Sequence, residues 1–193
     1  LIGDLNEMER IAASGINMVV QIDRRVDYDS SSGDWKDTRR YLVQHDETNE
    51  IASTRLDDPG LGEKDMDDPW TLREFLTWGF NSYPADHYMI TLHGHASGPA
   101  TGLMEDDSST LGGSKRMDTD DMGWAIRSAI DATIGRPVDV ISLDVCWMGM
   151  LEAAMEVMDH SNYFIGSFDQ IPAAGWPYDR CLPMIFNGNM TME

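Results

Sequence analysis

The sequence predicts an α/β fold: a mostly parallel central sheet flanked by helices. Two observations carry this expectation. Short apolar runs, partly β-branched, alternate along the chain with segments whose apolar residues recur at helical spacing. The most chemically distinctive segments, Gly94–Gly98 and Asp144–Cys146, both fall at the ends of such runs. Parallel sheets collect functional groups at the carboxyl ends of their strands.

INMVVQID, residues 16–23, reads as a buried strand with the polar Asp23 near its exit. An Asp/Ser/Gly-rich loop follows. TRRYLVQHD and NEIASTRLD then read as two short strands around a turn at Thr48–Asn49. After an Asp/Gly/Pro-rich loop over 57–68, Asp68 caps a helix with Pro69 at its first position, and Leu72, Phe75, Leu76 and Phe80 form its apolar face. The next strand runs from Tyr88 to His93 and ends in a Gly-rich turn. Residues 99–118 are polar, lack a period and read as an exposed loop. Thr119 is expected to cap a helix through Ile134, stopped by Gly135-Arg136-Pro137. PVDVISLDV forms another strand leading to Cys146, where a helix is expected to begin, since Met148, Leu151, Met155 and Met158 repeat at helical spacing. YFIGSF is a further strand, and QIPAAGWPY a Pro/Gly/Trp-rich loop.

A chain of 193 residues with 41% hydrophobic content fits one domain, 1–193, with a sizeable core. No run of 18 apolar residues is present, so nothing is expected to span a membrane. Residues 1–20 have no signal-peptide pattern. The 34 acidic residues against 14 basic ones give a net charge of −20, which argues against nucleic-acid binding. Cys146 and Cys181 are too few for a disulfide scaffold or a structural zinc site.

Cys146 closes a strand, and two roles fit it: a small buried packing residue, or a nucleophile. His95 stands in a turn that a parallel sheet can bring beside it. A thiolate attacks a carbonyl, an imidazole takes the thiol proton and returns it to the leaving amine, and backbone N–H groups of a Gly-rich turn hold the oxyanion. His93 is a second candidate base two residues away. Asp144 is costly at the end of an apolar strand unless it has a partner. It either caps local backbone groups or receives a substrate cation. A zinc pair in His-Gly-His lacks a third ligand at supportive spacing, and the metal ligands stay unassigned. The acidic stretches 57–68 and 105–121 offer oxygen donors for calcium.

DLNEME, VVQID, TRRYLV, YPADHY, YMITLHGHASG, LDVCWMGMLEAAMEV and GSFDQIPAAGWPY together resemble the clostripain family of cysteine peptidases, in the caspase–legumain–gingipain clan. The resemblance runs over nearly the whole chain. It implies a caspase-like sandwich and a cysteine endopeptidase cutting after Arg or Lys, with peptide or protein substrates and no nucleic-acid or membrane partner. It makes Cys146 the nucleophile, His95 the base, Gly94 and Ala96 the oxyanion turn, and Asp144 the acidic group that reads a basic P1 residue, the one preceding the scissile bond. The family carries Gly after its histidine, where this chain has Ala96. A lapsed, acidic, calcium-responsive binding domain on the same fold is the alternative that this departure suggests. The resemblance further implies self-processing in the 99–118 loop, after Lys115 or Arg116. It also implies calcium dependence without a cofactor in the chemistry itself. The chain is expected to be the core of a longer secreted or cell-surface protein.

Overall fold

The computed structural model describes residues 1–24, 29–57, 60–106 and 116–186. It divides into two units, Leu1–Lys64 with Pro172–Glu193, and Asp65–Ile171.

In the first unit, helix α1 (Ile2–Ile11) is followed by strands β1 (Val19–Ile22), β2 (Arg39–Leu42) and β3 (Thr54–Arg55), which form an antiparallel sheet in that order. Val19 pairs with Leu42, and Tyr41 with Arg55. Ile2, Leu5, Ile22, Trp35, Tyr41 and Val43 make its core. Glu9 ties the helix to the strand region. It is fully buried, and its Oε1 accepts from Ala52 N–H (3.0 Å), Ser53 N–H (2.7 Å) and the Ser53 hydroxyl (2.6 Å).

The second unit carries the functional segments. Helix α2 (Pro69–Ser82) precedes strand β4 (Met89–His93), and helix α3 (Thr119–Ala132) crosses over to strand β5 (Val138–Asp144). Helix α4 (Leu151–Val157) leads to strand β6 (Ser161–Gly166), and the final helix α5 (Tyr178–Phe186) belongs to the first unit. The sheet is parallel with order β4-β5-β6, so β5 is central. Along β4 and β5 the side chains alternate. Ile90, Leu92, Ile141 and Leu143 share a face and join Leu72, Leu76, Met122, Ile126, Ile130, Ala153 and Val157 of the three helices in one core. The opposite face carries Thr91, His93, Ser142 and Asp144. The Thr91 and Ser142 hydroxyls lie 2.8 Å apart there, a polar ladder that ends at the strand tips.

The Asp68 cap and Pro69 start of α2 occur as expected, with the Asp68 side chain accepting from Trp70 N–H. Three expectations shift. The cap of α3 is Asp118, whose carboxylate accepts from Asp121 N–H, and Thr119 is the first helical residue. Helix α4 begins at Leu151, capped by Met150, so Cys146 lies in a bend several residues upstream of it. The stripe read from Met148, Leu151, Met155 and Met158 does not pack as a unit. Met148 is buried ahead of the helix, while Leu151, Met155 and Met158 are 72%, 58% and 61% exposed. Ala153 and Val157 face inward in their place, because α3 approaches closely at Gly123, where an added Cβ would lie 2.9 Å from Glu156 Cβ.

The 99–118 stretch is anchored where it is described. Leu103 is 0% and Met117 2% exposed, and their backbones exchange two hydrogen bonds of 2.8 and 2.9 Å. Lys115 lies outside the described residues. Cys146 is half-buried, Cys181 is exposed on α5 rather than packed, and both are free thiols. No described helix is long and apolar enough to cross a membrane.

Candidate active site

Strands β4 and β5 end side by side, with His93 paired in register to Asp144. Because neighbours in register project to the same face, His93 Nδ1 comes 2.8 Å from Asp144 Oδ2, and the imidazole N–H donates to the carboxylate. Asp144 is fully buried, and the half-buried His93 supplies the partner that its charge needs.

Beyond His93 the chain leaves the sheet. Gly94 N–H reaches Asp144 O at 3.4 Å, His95 is exposed, and its carbonyl accepts from Met104 N–H at 3.0 Å. Ala96 is buried and bridges to Leu103. Ala96 is not among the described residues with positive φ, so its Cβ sits there without the strain that glycine would be needed to avoid. The turn closes at Gly98, with φ +95°, where an added Cβ would meet Trp147 Cβ and carbonyl O at 3.8 Å. The histidine turn and the residue after Cys146 are therefore close neighbours.

Cys146 follows β5 by two residues, and its Sγ accepts from Ile171 N–H at 3.4 Å. Trp147 then adopts φ +61°, a left-handed conformation that costs a residue with a Cβ about 1–2 kcal/mol. Its N–H donates to Asp169 O at 3.2 Å, which offsets part of that cost. Two residues on, Gly149 N–H donates to Ser167 O at 2.7 Å. Gly149 and Gly166 pass so closely that an added Cβ on Gly149 would lie 2.7 Å from Gly166 O. Strained backbone of this kind clusters at functional sites. Here it bends the chain sharply behind the thiol, and the end of β6 locks the bend.

The structure thus gathers Cys146, Asp144, Gly94, His95 and Ala96 at the carboxyl end of one sheet, with His93 committed to Asp144. Arg116 comes to the same end: its guanidinium bonds Glu105 and Ser97 Oγ. Sequence reasoning did not find the Glu105 pairing, the Ile171 N–H on the sulfur or the strained Trp147. The only sequence signal for the strain is the pair of small residues, Gly149 and Gly166, that permit the crossing.

Oxygen donors gather at a second place in this unit. Asp67 is buried beside Asp65 and Asp106, and its Oδ2 has no hydrogen-bond partner among the described residues. Burial first, then the Asp65 carboxyl and the charges of Asp65 and Asp106, push Asp67 up to about 7.

The sequence model of the clostripain family matches residues 2–191, and the chain belongs to that family. The chain is 24% identical over 214 residues to clostripain of Hathewaya histolytica, a match covering 99% of this chain and 40% of that protein. Among solved structures it is similar to a secreted C11 cysteine protease from Bacteroides thetaiotaomicron in complex with an irreversible peptide inhibitor. That match has a TM-score of 0.72 at 21% identity, over 97% of this chain and 48% of the other. It is also similar to an inactive zymogen C11 protease from Parabacteroides distasonis, with a TM-score of 0.65 at 21% identity, over 92% and 45%. The chain spans less than half the length of each of these relatives. The fold is accordingly the caspase-like α/β fold of the C11 proteases.

Proposed function

We propose that this chain carries the catalytic residues of a cysteine endopeptidase cutting after Arg or Lys. Cys146 attacks the scissile carbonyl and forms a thioester, while His95 takes the thiol proton and passes it to the leaving amine. Water then hydrolyses the thioester with His95 acting as base. Backbone N–H groups of the Gly94–Ala96 turn and of Cys146 hold the oxyanion. Asp144 reads the P1 cation, with peptides and proteins as substrates.

The observation that carries this reading is the proximity of the two segments. Gly98, at the end of the histidine turn, lies against Trp147, the residue after the thiol. His93 is held on Asp144, which leaves the exposed His95 as the base of this reading. A second reading has its own support. An imidazole whose Nδ1 is fixed by a buried carboxylate is the arrangement that orients a catalytic histidine, which would make His93 the base and Asp144 its orienter. The lapsed binding domain loses its main argument, because Ala96 needs no glycine-like backbone. No cofactor enters the chemistry. Calcium dependence belongs to the same reading, with the acidic stretches 57–68 and 105–121 as the source of its oxygen donors.

The test is hydrolysis of Arg- and Lys-terminated fluorogenic peptides by wild type, Cys146→Ala, His95→Ala and His93→Ala. His95→Ala should lose about 10²–10⁴-fold in rate. Full activity in His95→Ala together with loss in His93→Ala would transfer the base to His93. An Arg-derived electrophilic peptide should label Cys146 stoichiometrically, and failure to label a folded protein would favour the binding domain.

A further inference from the structure

Three short stretches meet beside the proposed base. Leu103 bridges Ala96 on one side and Met117 on the other, so a three-stranded patch one residue deep stands at the foot of the 99–118 loop. Met104 N–H donates to His95 O at 3.0 Å in the same patch. Gly102, with φ +77°, permits the approach, since an added Cβ would lie 2.5 Å from Met117 O. Ala96 and Met117 are flanked by polar residues, and one of these, Arg116, joins all three stretches. Arg116 Nε and Nη2 donate to Glu105 Oε2 at 3.0 and 2.5 Å, and its Nη1 donates to Ser97 Oγ at 3.2 Å. Ser97 is the second residue after His95. Glu105 lies on the outgoing limb of the loop and Arg116 on the incoming limb.

We propose that Arg116, paired with Glu105, is a positioning residue that clasps the His95 turn, and is not itself a P1 residue for self-cleavage. This rests on the reading of His95 as base. Planar guanidinium donors in a fixed fork suit such a clasp, because one group bonds a carboxylate on one stretch and a hydroxyl on another. The backbone of the His95 turn is held by the Met104 N–H bond to His95 O and by the Ala96–Leu103 bridge, and the Arg116 bond to Ser97 Oγ adds a side-chain tie two residues after the exposed His95.

The same geometry protects the bond after Arg116. Met117 is buried, and both its N–H and its carbonyl are engaged with Leu103. Bringing the Arg116–Met117 peptide to the thiol would require breaking that bridge and withdrawing the guanidinium from Glu105 and Ser97. Hydrolysis at Lys115–Arg116 does not use the Arg116 guanidinium as the P1 group. It consumes one water and leaves a carboxylate on Lys115 and an amino group on Arg116.

The test uses Arg116→Ala, Arg116→Lys, Glu105→Ala and the Arg116→Ala/Glu105→Ala double variant in the full-length protein. Rates are normalised to cut chain by intact mass. Arg116→Ala should lower kcat about 10- to 100-fold, the scale of misplacing a catalytic group by about 1 Å. KM should stay within about twofold and the melting temperature near wild type, an outcome that loss of structure would not give. The double variant should be no worse than Arg116→Ala, and Arg116→Lys should recover part of kcat. Fragment masses should place the cut after Lys115 in every variant. Wild-type kcat in Arg116→Ala, a change confined to KM, or a cut after Arg116 would each overturn the proposal. Failure of the base reading shows separately, as retained activity in His95→Ala.

Discussion

His93 and Asp144 end adjacent parallel strands in register, and His93 Nδ1 lies 2.8 Å from the buried Asp144 Oδ2. The charge next to the proposed nucleophile therefore comes with its own partner. Removing one member of a buried pair leaves the other uncompensated, at a cost of about 3–5 kcal/mol. His93→Ala should accordingly lower the melting temperature markedly, whereas His95→Ala, on an exposed turn, should leave it near wild type while abolishing hydrolysis. Thermal melts of both variants beside peptide turnover separate a structural histidine from a chemical one.

Asp144→Asn keeps the shape and the hydrogen bond to His93 but removes the charge. If Asp144 reads the P1 cation, this variant should raise KM for Arg and Lys peptides at least about tenfold. Reaction of Cys146 with a small neutral thiol reagent should be nearly unchanged. Equal loss in both assays would assign Asp144 to the thiol's environment rather than to the substrate.

Much of this site was legible in the sequence because its logic is local. Strand periodicity placed His93 and Asp144 at strand ends, and the DVC segment marked Cys146. What pairs with what was less legible. His93 and Asp144 are separated by 51 positions, and only the register of β4 on β5 makes them neighbours. The helix after Cys146 was placed too early because Met148, Leu151, Met155 and Met158 imitate an apolar stripe. Close backbone approach at Gly123 instead turns Ala153 and Val157 inward. The α1 and α5 helices were missed, since DLNEMERI carries a weak apolar face and the α5 segment contains Pro183.

Gly149→Ala tests whether the bend behind Cys146 matters. An added Cβ would stand 2.7 Å from Gly166 O, backbone against backbone, so neither side can yield by a rotamer change. Shifting the bend displaces the thiol, and a misplacement of about 1 Å costs about 10²-fold in rate. Gly149→Ala should lose kcat on that scale and lower the melting temperature. Gly3→Ala, where nothing lies within 4 Å of an added Cβ, is the control and should do neither.

Asp67 gives stability a pH dependence whose sign is fixed by its surroundings. Burial, Asp65 and Asp106 raise it from 3.8 to about 7, so between those values the folded state binds more protons than the unfolded chain. The stabilisation is fully present below the unfolded value and is lost as pH rises through about 7. Denaturant melts should therefore show wild type losing stability between pH 5 and pH 8, and Asp67→Asn, which cannot ionise, losing less of it. A divalent cation seated on Asp65, Asp67 and Asp106 would favour the ionised carboxylates and reverse the trend. Calcium at pH 8 should then raise the wild-type melting temperature, and chelation should lower it again, with Asp67→Asn responding weakly. A calcium response of equal size in both proteins would place the ion elsewhere and leave Asp67 as a proton-binding carboxyl alone.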